Sequence, residues 1–144
     1  MISRMTKKSY LPVIFVMALL LISLNTPTES YGIDIDIDVA PATLNLQSQG
    51  TVVTVHTSIA FSSVDGGTVT LNDIEISWWK ADNQGNFVAK FVMSEVKDLA
   101  DSGELVVPGE NVLTLVGYTK DGEVFTGSEV ITVIDVDPAG AGGK

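Results

Sequence analysis

Three aspartates at alternate positions, Asp34, Asp36 and Asp38 in the run IDIDIDV, are the densest group of chemistry-bearing side chains in the sequence. Carboxylates at this density invite a hard cation, and together with Asp135 and Asp137 they make a candidate calcium site. The spacing is wrong for a calcium loop of the Asp-x-Asp-x-Asp type, which needs Gly at its sixth position and Glu at its twelfth. Counted from Asp34, those positions hold Val39 and Asn45. On a strand, side chains two residues apart stand about 6.5–7 Å from one another, too far for three to close round one ion. The row is expected to be a solvated strand face whose like charges deter edge-to-edge pairing, with calcium as the competing expectation and no other cofactor.

A second group is Trp79 with Asp73 and Glu75. Alternation along Ile74–Lys80 puts Ile74, Ile76 and Trp78 on one side and Asp73, Glu75, Ser77 and Trp79 on the other. Trp78 is then expected in the core. Trp79 falls on an acidic, hydroxyl-bearing face, where an indole can stack a sugar ring or anchor a protein contact, but an indole tucked under a loop or partly covered by a neighbouring strand is the commoner outcome and the leading expectation. His56, the single histidine, lies on the polar side of its strand with no nucleophile or ligand cluster beside it, and is expected at the surface. The remaining carboxylates alternate outward or sit in turns. No nucleophile with a base, no paired acids and no metal cluster emerges, so the chain is not expected to be an enzyme.

These side chains must be positioned by strands. Thr51–Phe61 alternates, with Val53, Val55, Thr57 and Ile59 on one side. Ile33–Val39 alternates too, and Pro41 ends or bends it ahead of a short strand at Thr43–Leu46. Ser62–Gly67 reads as a loop, Thr68–Leu71 as a strand, Asn72-Asp73 as a turn or kink, and Ala81–Asn86 as a turn before a strand at Phe87–Val92. Ser94–Leu99 breaks the alternation and predicts one or two helical turns capped by Ser94. Two apolar runs then flank Asp121-Gly122, the signature of a two-residue type I′ hairpin. That turn sets Lys120 opposite Glu123 and Tyr118 opposite Phe125, with a bulge expected near Gly127.

The chain has 144 residues, no cysteine and a net charge of −10. Residues 1–30 resemble an export leader: Arg4, Lys7 and Lys8 precede an apolar run, Leu11–Leu24, and Thr28-Glu29-Ser30 forms a small-x-small cleavage pattern. The apolar run is shorter than the roughly 20 residues a membrane span needs, so cleavage is expected, with an uncleaved anchor as the alternative. The leader contributes three basic residues against Glu29, or +2, which leaves −10 − 2 = −12 for the remainder. Such acidity disfavours nucleic acid and anionic membrane surfaces as partners. A cysteine-free exported domain rests on packing alone, consistent with a secreted or periplasmic protein of a bacterial or archaeal envelope. The expected organisation is a signal peptide at 1–30, a β-sandwich at 31–137 and a flexible tail at 138–144.

The runs AKFVMSEVKDL and GENVLTLVGYTKDGEVFTGSEVITVI, preceded by IDIDIDVAPATLNLQSQGTVVTV, resemble an immunoglobulin-like module that recurs in exported bacterial and archaeal proteins. The likeness covers nearly the whole chain after the leader. It departs from the module's usual pattern at Ala40 and at Glu129, where Asp is usual. The resemblance implies an all-β, immunoglobulin-like antiparallel β-sandwich with one short helix and no established catalysis. The functional expectation is an exported binding or accessory module with a protein or glycan partner. The runner-up is a structural or assembly subunit that lends its N-terminal strand, Ile33–Val39, to a neighbour's sheet edge. Calcium-dependent surface binding is the third expectation. Ligand identity and oligomeric state are not readable from the sequence.

Overall fold

In the computed structural model, which describes residues 32–138, the apolar and polar sides of Thr51–Phe61 become the two sides of a central strand. The strands in chain order are β1 (Ile33–Asp34), β2 (Ile37–Ala40), β3 (Thr43–Asn45), β4 (Val52–Ala60), β5 (Val64–Leu71), β6 (Ile74–Glu75), β7 (Trp78–Ala81), β8 (Asn86–Val92), β9 (Gly109–Thr119) and β10 (Val124–Ile134). One α-helix among the described residues, α1 (Met93–Asp101), links β8 to β9. The expected leader at 1–30 lies outside the described residues, as does the expected tail beyond Pro138.

Two sheets face each other. The four-stranded sheet has the order β2-β4-β8-β7, and the six-stranded sheet runs β1-β10-β9-β5-β6 with β3 also on β10. Val53, Val55 and Ile59 of β4, with Phe87, Ala89 and Phe91 of β8, point into the interface and meet Leu71, Leu113, Leu115, Phe125 and Ile131 from the other sheet. Burying such side chains stabilises by about 1.5–3 kcal/mol each, and this layer is the main cohesive force of a domain without disulfides. The architecture is an all-β sandwich. It is not wholly antiparallel, because β1 and β3 both run parallel to β10.

The N-terminal alternation is divided between the sheets. β1 pairs with β10, the chain crosses at Ile35-Asp36, and β2 pairs antiparallel with β4. The expected free strand at Ile33–Val39 is therefore corrected: its backbone is already paired within this domain. Asp34, Asp36 and Asp38 are exposed, as a solvated row requires, while Val39 is buried.

The β9–β10 hairpin forms one residue out of the expected register. Tyr118 faces Val124 and Phe125 faces Gly117, with unbroken one-to-one pairing as far as Val133 opposite Gly109. Only Gly122 in the turn has positive φ, +88°, whereas a type I′ turn needs two such residues. Thr119 N–H donates to Glu123 O at 2.8 Å and Gly122 N–H to Thr119 O at 2.9 Å, enclosing a three-residue loop, Lys120-Asp121-Gly122. Gly122 thus ends a turn of the kind that closes with a left-handed residue. The expected aromatic pair is replaced by a ring over a glycine: a Cβ on Gly117 would lie 2.5 Å from Phe125 Cζ. The expected bulge near Gly127 is absent from the ladder. Gly122→Ala is expected to lower stability by about 1 kcal/mol, because a Cβ clashes in left-handed backbone; a chemical-denaturation midpoint checks it.

The I′ geometry occurs instead at Asn72 (φ +44°) and Asp73 (φ +67°), between β5 and β6 with Leu71 opposite Ile74. Asn72 fixes this turn to β9, accepting from Thr114 N–H at 2.7 Å and donating its own N–H to Thr114 O at 3.0 Å. Asn and Asp tolerate left-handed backbone better than other residues with side chains. The expected loop at Ser62–Gly67 is also corrected. A short 3-10 turn at Phe61–Ser63 leads directly into β5, which carries Gly66 and Gly67 as strand residues. Helix α1 begins one residue before the expected cap. Met93 N–H bonds Thr51 O at 2.9 Å, Ser94 lies inside the first turn, and Met93, Val96 and Leu99 bury one face at helical spacing.

Candidate functional site

The chain leaves the six-stranded sheet after β6 and enters the four-stranded sheet at β7, held at the crossing by Ile76 N–H to Val69 O (3.1 Å) and Ser77 N–H to Lys90 O (2.8 Å). Because the sheets face each other, the direction that is inward in one is outward in the other. The alternation that packs Ile74 and Ile76 against the core thus turns Trp78 to the outside. This corrects the expected core placement of Trp78. Trp78, 48% exposed, stands opposite Lys90 on the outer face, whose Nζ lies 5.3 Å from the indole centroid. Trp79, 40% exposed, stands opposite buried Ala89 and lays its ring on Gly66 of the facing sheet, where a Cβ would come within 2.2 Å of Trp79 Cε2. The two-glycine segment in β5 is explained at Gly66 by this close approach.

Asp73, Glu75 and Trp79 do not form a common site. Asp73 is in the I′ turn, Glu75 is an exposed residue of β6 in the six-stranded sheet, and Trp79 belongs to the four-stranded sheet. The five aspartates are likewise dispersed. Asp34 pairs with Thr126, nine positions along β10 from Asp135, a distance of roughly 30 Å at the strand rise. Asp36 lies in the crossing segment, Asp38 lies in β2 of the other sheet, and Asp135 accepts from Gln47 Nε2 at 2.7 Å. Among the described residues no group of three or more His, Cys, Asp or Glu is placed to hold a metal ion. The calcium expectation therefore has no convergent ligand set here.

What the fold does assemble is the outer face of the four-stranded sheet. Strand registers set Ala40, Thr54, Lys90 and Trp78 in one row and Asp38, His56, Val88 and Lys80 in the next. Lys90 Nζ also donates to Thr54 Oγ1 at 3.3 Å, so a neighbouring hydroxyl helps hold the ammonium beside the indole. At the β2 edge an open cavity of about 270 Å³ is lined by Asp36, Asp38, His56, Ser58 and Asn86, among others. The crossing segment is fixed there by two bonds of 3.0 Å, Asp36 N–H to Ser58 Oγ and Ser58 N–H to Asp36 O. His56 is exposed, as expected, and stands opposite Asp38. The face thus offers an aromatic plate and two ammonium groups at one side, and carboxylates with an imidazole, a hydroxyl and an amide at the other. Neither the register of Asp38 with His56 nor the outward turn of Trp78 has a local signal in the sequence.

No family model, no curated protein and no solved structure matches this chain.

Proposed function

We propose that this chain is an exported, non-catalytic, immunoglobulin-like module, secreted or periplasmic, that binds an extracellular glycan or protein through the outer face of its four-stranded sheet. The observation that carries the proposal is Trp78: a large aromatic side chain, half exposed, on an edge strand exposed throughout its length. Such residues supply much of the energy of a contact at little entropic cost. The immunoglobulin-like assignment is supported by topology. The orders β2-β4-β8-β7 and β10-β9-β5 correspond to the ABED and GFC sheets of such domains, with the first strand divided between them. The leader-like residues 1–30 support export.

Cosedimentation with insoluble cell-wall polysaccharide tests the surface. Trp78→Ala is expected to weaken retention by about tenfold or more, the loss of one central aromatic anchor. Trp79→Ala is expected to disturb the packing on Gly66 and to be read in the melting curve. Undiminished retention of a folded Trp78→Ala variant would remove this face as the binding surface.

A further inference from the structure

On the footing that this face is the binding surface, we propose that its ligand is an acidic glycan, a polyuronate whose sugar ring stacks on Trp78 while its carboxylate is met by Lys90 and Lys80. Positive charge is scarce: the described residues contain four lysines, Lys80, Lys90, Lys97 and Lys120, and no arginine, in a chain of net charge −10. Lys97 is engaged with Ser48 O at 2.7 Å, and Lys120 sits in the β9–β10 turn. The other two flank Trp78. Lys90 is its cross-strand partner, and Lys80 follows two residues along the same side of β7. The protein's exposed outward-facing indole therefore coincides with the paired cations of an otherwise acidic surface.

Distances decide which charges a ligand at Trp78 experiences. Lys90 Nζ is 5.3 Å from the ring centroid, and Lys80 is about 7 Å along the strand. Asp38, in the same row as Lys80, is three strand spacings away, about 14 Å. That exceeds the screening length of about 8 Å at physiological ionic strength, so Asp38 contributes little at the indole beside Lys90. A uronate carries its carboxylate on the rim of the pyranose ring. Lys90 Nζ lies over one face of the indole, so the pyranose stacks on the opposite face and its rim carboxylate reaches towards the ammonium groups past the edge of the indole. Lys90 donates to Thr54, and an ammonium has three donors, so it retains others for an incoming carboxylate. Nucleic acid offers rings and anions too, but phosphate tracking needs a longer run of cations than two.

Titration of the full chain, followed by tryptophan fluorescence and affinity electrophoresis at about 0.15 M salt, where the screening length is about 8 Å, compares polygalacturonate, its fully methyl-esterified counterpart and oligo-dT. Polygalacturonate is expected to bind, with the neutral ester about tenfold weaker or worse, and the double substitution Lys80→Gln with Lys90→Gln is expected to cost a similar factor while the melting curve is retained. Equal affinity for acid and ester overturns the acidic class and leaves the face intact if Trp78 is still required. Binding of oligo-dT more tightly than the polyuronate also overturns it. Silence towards every soluble probe, alongside Trp78-dependent retention on cell-wall polysaccharide, rejects the acidic glycan without rejecting the surface.

Discussion

Replacing Gly127 with alanine is expected to lower the melting temperature by about 10–15 °C, equivalent to roughly 2–3 kcal/mol in a domain of this size. The N-terminal segment crosses from one sheet to the other directly over this residue. A Cβ there would lie 2.6 Å from Ile37 Cγ2, 2.8 Å from the backbone oxygen of Ile35 and 3.0 Å from Ile35 Cγ1. A side chain can rotate away from such a contact; a backbone carbonyl cannot. Ile35 is held in turn by its own N–H to Thr126 O at 2.9 Å, so relief requires lifting the crossing segment off β10. Gly67→Ala is the matched control, because a Cβ there meets nothing within 4 Å. Its effect is expected to be small or slightly stabilising through the unfolded chain. Thermal unfolding of both variants decides the matter: an unshifted Gly127→Ala transition would mean that the segment does not cross here.

The second large effect is expected at Glu129. Where β2 leaves the edge of the sandwich, the N–H of Val39 donates to Glu129 Oε2 from the facing sheet, a hydrogen bond between residues 90 apart in sequence. Val39 itself is buried, so without this acceptor its amide loses a partner in a place water does not readily reach. Glu129→Ala is expected to cost about 2 kcal/mol, within the range for orphaning a buried donor. Glu129→Gln keeps an acceptor oxygen at the same reach and is expected to lose less than half of that. Urea midpoints measure both, and amide exchange at Val39 localises the effect. Comparable losses in the two variants would show that Glu129 acts through something other than its acceptor.

Strand interiors were legible in this sequence wherever a single sheet imposed the period of two. Val53, Val55, Thr57 and Ile59 are inward as their alternation requires, and His56 is outward. The existence of the β9–β10 hairpin was legible as well. Its register was not, because Asp-Gly fits a two-residue I′ turn and equally the end of a three-residue loop, and only the φ of Asp121 separates them. The turn that does use two left-handed residues, Asn72-Asp73, lacks a glycine and so gave the weaker signal.

Sheet changes were the larger obstacle. Alternation says which residues share a side, not which side is inside, and that assignment reverses when a strand passes between facing sheets. Trp78 stands at the surface and not in the core for this reason, and Asp73, Glu75 and Trp79 fall on different elements. Gly66 was misleading for a related reason. Its function is to admit an indole from a strand twelve or more residues later, a contact with no footprint in its own neighbourhood of the chain. The candidate binding face emerged only when register brought β2, β4, β8 and β7 side by side.

The parallel placement of β1 and β3 on β10 bears on how the domain responds to tension. Traction applied to its first and last strands from opposite directions would run along those strands, loading the bonds of Ile35 to Thr126, Ala42 to Thr132 and Leu46 to Ile134 in shear. Bonds sheared together must give way together, whereas an antiparallel pair tugged from one end unzips rung by rung. The seam that closes the sandwich is thereby oriented to resist stretching along its length.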